Sequence, residues 1–598
     1  MKTAKIHFLS RWPIHGRHPL SRFDSARLRI KLVLAQMLAL LLLMQCLNEY
    51  PAGSNDQSLT LIALSGSDSP AGTTTTSGPS ALQIVTYTPG KGGALLTNQN
   101  IVFRFNNSMQ TGSCTVGGST TLVAPTAPVW STGSVSNDTM TVAPTTTWTT
   151  GGPYALEITG CQDVHNQTLA AFTLQFIVYT AGNIIYVNKS SGMDAYVGSI
   201  AQPKQTIQAG ITALAPCATS CAVLVSGVQN ATTGDYYTSA TGPVITMSNN
   251  ISVYGGYAGD FSLTDPATYQ TILLNTQAAG CGGAEAASCA TVYADNTITT
   301  TATSLIGFGI IGNSQGLAYS AGVHVVNATL TLIGNNIVGS ANSTTQSAGV
   351  LIDNSASAGS LIVGNNVIDG GTSTGNTFGI RALINARMQA IRNTIKGGGG
   401  SLSSTALYSG GLGIPTIVSN NYIDGGTGPT AYGISSSSSL VHLRLWNNTI
   451  QTGRNTGATN TYGIYFNGGA GVTPQITNNI VFGATSGNDY CVFENSAVNP
   501  TDIHNNNFYL CDVLYHDSAT GDESNIANIN AYANSVLNIS VDPQLRDATN
   551  YDFALTANTP CLVTTGGETV AGVIDDREGN ARTAAYSIGA SERDGSCL

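Results

Sequence analysis

Charge is scarce in this chain. Of 598 residues only 9% are Asp, Glu, Lys or Arg, against about a quarter in ordinary soluble domains. Long amphipathic helices need those residues on their wet faces, so a helical fold is excluded as the main architecture. Positive charge is scarcer still outside the N-terminus. Residues 1–45 hold eight of the 22 basic residues and one of the 32 acidic ones, which leaves the rest at a formal −17. Binding to nucleic acid or to anionic headgroups through bulk electrostatics is thereby disfavoured. A membrane-spanning run is missing too. The 14-residue apolar stretch LVLAQMLALLLLMQ falls short of the ~20 residues a spanning helix needs and has the length of a signal-peptide core. Metal-ligand patterns are also absent: CATSC (217–221) is a lone close pair with no second pair and no nearby histidines. No phosphate-cradling glycine loop precedes a helix.

What fills the chain instead is Gly, Ser, Thr and Asn, the residues of tight turns between short strands. Seven times an asparagine sits ahead of a short apolar run, in GNNIVG, GNNVIDGG, RNTIKGG, NNYIDGG, NNTIQTG, NNIVFG and NNNFYL. The row runs through Asn336, Asn366, Asn393, Asn421, Asn448, Asn479 and Asn506, in steps of 27 to 31 residues. A fixed period of this size means a solenoid. The periods also hold a Gly-apolar-x-apolar strand, with Ala406-Leu407-Tyr408 filling the one gap, and alternation puts Val323, Val350, Ile380, Leu407, Ile434 and Ile464 inside. One coil of about 28 residues suffices for three short strands and three turns, and the leucine pattern of a leucine-rich repeat is missing. The asparagine row reads as a structural ladder at a turn, bonded up and down the stack.

Two registers follow from the period. Three residues after each row asparagine stand Gly339, Asp369, Lys396, Asp424, Gln451, Phe482 and Tyr509. The run Asp369, Lys396, Asp424 is open to two readings. It is a salt-bridge ladder worth about 0–1 kcal/mol per pair, or an acid–base set acting on a glycosidic bond. Flanking carboxylates raise a lysine pKa, which is wrong for a base. The second register, on the outer side of the Gly-apolar strand, reads His324, Leu351, Arg381, Tyr408, Ser435, Tyr465 and Phe493. His324, Arg381, Tyr408, Tyr465 and Phe493 make a candidate face for stacking on sugar rings, or a packed aromatic column. Arg381, Arg387 and Arg392 on one coil could form a patch for an anionic ligand.

Eleven cysteines leave ten once Cys46 is set aside. They fall as near neighbours, Cys114 with Cys161, Cys217 with Cys221, Cys281 with Cys289, Cys491 with Cys511 and Cys561 with Cys597. An even set outside the leader implies disulfides and an exported protein. Leu43-Met44-Gln45-Cys46 resembles a bacterial lipoprotein cleavage site, though Gln45 departs from the small residue preferred there; the resemblance implies a lipid anchor on Cys46 at the cell surface or outer membrane.

Between residues 81 and 180, strands such as IVFRF, YALEI and FTLQFIVY alternate between turns, as in a β-sandwich. YTPGKGGALLTNQNIVFRFNNSM and ITGCQDVHNQTL resemble the two ends of bacterial Ig-like domains, which usually act as spacers or adhesive modules. IIYVNKSSGMDAYVGSIAQPKQTIQAGI resembles the opening segment of secreted, pectate-lyase-like right-handed parallel β-helix proteins, with Gln205–Leu214 as the helix that caps the open end. VDPQL, NYDFALTANTPCLV and VIDDREGNAR…YSIGASE resemble the closing module of the same group, which implies that residues 531–598 cover the last coil. The catalytic signatures of enzymatic β-helices do not occur: there is no NTD, Gly-His-Gly or Arg-Ile-Lys set of polygalacturonases and no Arg-x-Pro-x-x-Arg of pectate lyases. Asp575 and Asp576 are expected to tie a turn, with weak calcium binding as the lesser reading; no other cofactor is expected.

The expected order is therefore a signal peptide (1–45), a flexible linker (46–80), an Ig-like sandwich (81–180), a parallel β-helix (183–530) and a C-terminal capping module (531–598), all-β throughout. The function expected of it is an adhesin-like binding protein for polysaccharide or extracellular protein. A polysaccharide lyase or glycosidase, and a structural envelope protein, are the alternatives.

Overall fold

The computed structural model describes residues 82–593, except 91–92, 279–288, 301, 354–359, 384–386, 411–415, 438–441, 456, 458, 469–472, 484–487, 496–499, 501 and 583–585. The expected leader, linker and Cys46 lie outside these residues, as do Cys281 and Cys597. Among the described residues no helix is long and apolar enough to cross a membrane.

The first part is a sandwich of two four-stranded sheets. Alternation in Ile101–Phe105 and Thr139–Val142 sends Ile101, Phe103, Phe105, Met140 and Val142 into a core shared with Trp148 and Phe176. Cys114 and Cys161 are disulfide-bonded beside the ends of two paired strands of one sheet, Thr115–Gly118 and Gly151–Thr159. A second apolar cluster joins the sandwich to the first coils that follow: Tyr179, Ile184, Tyr186, Tyr254 and Phe261 pack together, and the Tyr179 and Tyr254 hydroxyls lie 3.0 Å apart. The sandwich is thus seated on the solenoid through buried aromatic contacts.

The solenoid has three sheets of 12, 10 and 11 strands, parallel but for the last strand of the third, Gly521–Glu523, and each regular coil gives one strand to each. They are named here first, second and third in the order the chain visits them, as in Leu443–Trp446, Thr449–Gln451 and Asn460–Phe466. The predicted inward residues Val323, Val350, Ile380, Leu407, Ile434 and Ile464 are all 0% exposed. The open N-terminal end is closed by the helix Ile207–Leu214, capped by the Thr206 hydroxyl, with Ile207 and Ile211 buried. Cys217–Cys221 and Cys491–Cys511 are disulfide-bonded as expected; Cys289 and Cys561 are disulfide-bonded as well.

The asparagine ladder lies at the turn from the first sheet to the second, and its roles are divided between two residues. One residue per turn takes the left-handed conformation: Asn365, Arg392, Asn420, Asn447, Asn478 and Asn505 have φ between 52° and 59°. The next asparagine points inward. Its side-chain carbonyl accepts from the preceding coil, as in Asn366 Nδ2 to Asn393 Oδ1 (3.1 Å) and Asn421 Nδ2 to Asn448 Oδ1 (2.9 Å). Asn336 is not in this row. In GNNIVG the left-handed position is taken by Gly334 (φ 62°), so Asn335 makes the bond to Asn366 (3.1 Å) and Asn336 begins the next strand. The ladder also runs one coil further than expected, to Asn538.

The closing module does more than cover the last coil. That end is closed by residues 521–539, where Ile529 enters the core and Ser535–Val536 pairs with Asp502–His504. The chain then runs back along the flank of the second sheet, past every coil from Arg392 to Asn505. The row of left-handed residues is its landing strip. Asn420 donates to the Asp575 carbonyl (2.8 Å), Asn478 to that of Glu568 (2.7 Å) and Asn505 to that of Gly566 (2.7 Å). Arg392, 0% exposed, pairs with Asp575.

Candidate functional site

The charged row is in register as predicted from Asp369 onward: Asp369 stands beside Lys396, and Lys396 beside Asp424. One rung earlier the position belongs to Val338, not Gly339, because of the shifted turn. The row is not an open cleft. The C-terminal module lays Tyr551 over it, with the Lys396 ammonium 3.7 Å and the Arg454 guanidinium 4.0 Å from the ring centroid. Arg454 pairs with Asp424 and donates to the Ala548 and Thr549 carbonyls, both at 2.6 Å. Burial pushes the Asp369 and Asp424 carboxyls up. The side chains that would have to act on a substrate are those that hold the module in place, so the row reads as a half-buried clamp.

Asp575 and Asp576 tie a turn. Asp576 is 0% exposed, and its two oxygens accept from the Glu578, Asn580 and Glu592 backbone amides and from the Asn580 side chain at 2.7–3.0 Å. With four N–H donors already on it, Asp576 offers nothing to calcium. Among the described residues no group of three His, Cys, Asp or Glu side chains could hold a metal ion.

The arginine patch is dispersed. Arg381 is on the third sheet, Arg387 is exposed on the first, and Arg392 is buried under the module. His324 is likewise no part of a binding face. It is 1% exposed, packed edge-on against Tyr293 (5.6 Å), and burial pushes its pKa down to about 4, which keeps it neutral. Its neighbour Leu351 is buried as well.

From Arg381 onward the third sheet has an outer face of a different kind. Tyr408, Tyr465 and Phe493 are half-buried along the predicted register. Beside them runs a second aromatic column that the register did not include: Tyr432, Tyr462 and Tyr490, in register on successive coils. In two of the three strands the column was readable as the aromatic directly before the Gly (AYGIS, TYGIY); in the third Tyr490 precedes Cys491. Strict alternation would have sent one of the two tyrosines of TYGIY inside. The residue after the first of them breaks the alternation; it is Cys491 on the last of these coils, but Gly433 and Gly463 leave no room for a side chain. A Cβ on Gly433 would lie 2.6 Å from Ile450 Cγ2, and one on Gly463 would lie 2.2 Å from Val481 Cγ1.

The rings stack along the solenoid. Tyr432 on Tyr462, Tyr462 on Tyr490 and Tyr465 on Phe493 have centroids 5.1–5.5 Å apart and interplanar angles of 11–17°. Phe493 continues onto His516 (4.1 Å). Most flat faces are therefore spent on one another. Burial raises the Tyr432 pKa to about 12 and shifts Tyr462, Tyr465 and Tyr490 the same way, so the hydroxyls remain donors. The outer stack breaks at Ser435, which stands between Tyr408 and Tyr465. Tyr408 is unstacked there; it runs along its own strand past Gly410, whose Cβ position is 3.4 Å from the ring, and its hydroxyl meets that of Ser437.

Polar columns border the aromatic ones. On one side Asn488 donates to Asn460 (3.4 Å); on the other Asn495 donates to Asn467 (3.1 Å). Two successive rungs thus read polar, aromatic, aromatic, polar: Asn460, Tyr462, Tyr465 and Asn467, then Asn488, Tyr490, Phe493 and Asn495.

Comparison with known proteins bears on the fold. Residues 79–178 match the family model for a bacterial Ig-like domain. No curated protein matches the sequence. Among solved structures, the pectate lyase Pel9A is similar at 12% identity over 69% of this chain and 96% of its own, with a TM-score of 0.29. The GH136 lacto-N-biosidase from Eubacterium ramulus is similar at 9% identity over 53% and 68%, with a TM-score of 0.22. Likenesses this distant bear on neither substrate nor activity. Disulfides and the Ig-like domain point to an extracellular or surface protein, and its architecture is a bacterial Ig-like domain followed by a parallel β-solenoid of about ten turns.

Proposed function

We propose that this is an extracellular binding protein, adhesin-like, that holds carbohydrate on the outer face of its third sheet. The carrying observation is the double aromatic column bordered by amides and hydroxyls on successive rungs. Aromatic edges and hydroxyl-rich sugars are matched by ring contact in the middle and by hydrogen bonds at the rims. The break at Ser435 leaves ring surface of Tyr408 and Tyr465 for a sugar to lie against. Locking of the charged row under Tyr551 favours retention of a ligand over its cleavage. In this reading the Ig-like domain is the spacer, and acylation of Cys46 tethers the protein to a membrane.

Surface plasmon resonance against immobilised glycans tests the face. The double variant Tyr408→Ala/Tyr465→Ala, with an unchanged melting profile, is expected to lose binding at least tenfold; retained affinity would place the ligand elsewhere. Binding only to an extracellular protein, also lost in that variant, would keep the face and change the ligand. Cys46→Ser is expected to leave the membrane fraction, and its retention there would remove Cys46 as the anchor.

A further inference from the structure

The binding face is uncharged over four consecutive rungs, and the reason lies in the sequence. Between Lys396 and Asp489 the chain has only three charged side chains, Asp424, Arg444 and Arg454. None is on the third sheet. Asp424 and Arg454 are in the clamp beneath Tyr551, and Arg444 is on the first sheet beside Trp446 (5.5 Å). Asp489 and Glu494, which do belong to the third sheet, are each 2% exposed. Asp489 accepts from the Thr461 hydroxyl and Glu494 from that of Tyr515, away from the aromatic face. Charge returns at the ends, with Arg381 over Phe378 (5.2 Å) at one and, at the other, the His516–Asp522 pair (2.6 Å) and the exposed Asp512, which accepts from the Asp489 backbone amide (3.1 Å).

We infer that this face takes a neutral glycan chain and rejects uronic and sulfated ones, an inference that rests on the carbohydrate-binding reading above. Docking a carboxylate or sulfate here would strip its water and return only neutral partners, a cost that binding does not recover. No lysine or arginine on the four rungs could pair with it. Among the described residues there is also no outward carboxylate on them to hold a bridging cation. The −17 formal charge of residues 46–598 repels a polyanion before contact. A neutral sugar has the opposite balance, since its hydroxyls find Asn460, Asn467, Asn488 and Asn495 at the rims and its C–H faces meet the rings. Four rungs at ~4.8 Å span about 14 Å between the first and the last, room for an oligosaccharide rather than one sugar.

The purified protein is titrated with neutral fragments (glucan, xylan and mannan oligomers) and with oligogalacturonate, oligoalginate and heparin fragments, at about 50 and about 500 mM NaCl. Saturable binding of a neutral fragment, changing less than about twofold between the two salts, is the expected result. Preference for an anionic fragment, or binding that falls tenfold with salt, would overturn the inference while leaving the carbohydrate reading intact. No saccharide bound at either salt would sink the carbohydrate reading itself. The exposed rim variant Ser437→Lys/Asn467→Lys should gain salt-sensitive binding of oligogalacturonate. A variant that binds the neutral fragment as before and gains nothing would show that the ligand lies on another face.

Discussion

Asn448 sits in the middle of the ladder, 0% exposed, and its replacement puts a number on what holds the coils in register. Its Nδ2 donates to the Val418 carbonyl (2.8 Å) and to Asn479 Oδ1 (3.0 Å). Its Oδ1 accepts from the Asn421 backbone amide (3.1 Å) and side chain (2.9 Å). Asn448→Ala removes four bonds and strands the Asn421 N–H and the Val418 carbonyl in a dry interior. At about 1 kcal/mol per bond, with a further penalty for each orphaned group, the loss is about 3–5 kcal/mol. Asn448→Asp keeps the shape but cannot donate, and its carboxylate would face Asn479 Oδ1. Buried there, its folded pKa lies above its unfolded one, so the variant loses stability as pH rises through that window. Equilibrium unfolding in urea tests this, followed by the fluorescence of Trp446 two residues away. Trp130 and Trp148 belong to the sandwich and give a separate baseline. The exposed rim variant Asn495→Ala should cost less than about 0.5 kcal/mol. A loss below about 1 kcal/mol for Asn448→Ala would refute the claim that the ladder is a main source of cohesion.

Three other perturbations have distinct signatures. Glu494 is buried against the Tyr515 hydroxyl, and burial raises its pKa to about 8. The unfolded chain therefore releases its proton first, and the C-terminal end of the solenoid should lose on the order of a few kcal/mol as pH rises from about 4.5 to 8. Glu494→Gln should flatten that dependence in thermal melts, and an unchanged slope would count against it. Tyr551→Ala removes two cation–π contacts, worth about 0.5–2 kcal/mol each, so hydrogen exchange over residues 545–555 should quicken severalfold while the third sheet stays protected. Cys114→Ser/Cys161→Ser opens a link between residues 47 apart and should lower the stability of the sandwich by about 3–4 kcal/mol; calorimetry would show it as a shift of one transition only.

The solenoid was legible because its signals are local and repeated. A period near 28 and inward aliphatics recur in every coil, a glycine-led strand in most, and the described disulfides join the neighbours expected. Features that depend on one coil's exception were harder to read. Gly334 takes the left-handed position of its turn and moves the ladder from Asn336 to Asn335. The residue that breaks the alternation hid the Tyr432 column, although Tyr432 and Tyr462 precede a glycine in plain view. Burial of His324 depends on Tyr293 beside it, 31 residues earlier. The path of the C-terminal module was the least accessible, because its contacts, Arg392 with Asp575 or Asn420 with Arg582, join residues more than 150 apart and follow no period.

The proposed role of the third sheet is to hold glycans without altering them. The most direct measurement is a glycan array probed with the purified protein, followed by mass spectrometry of bound and released sugars. Intact neutral oligosaccharides, retained by the wild type and lost by Tyr408→Ala/Tyr465→Ala, are the predicted result. Shortened or unsaturated products would contradict it and make the protein an enzyme acting through groups other than the clamped Asp369–Lys396–Asp424 row.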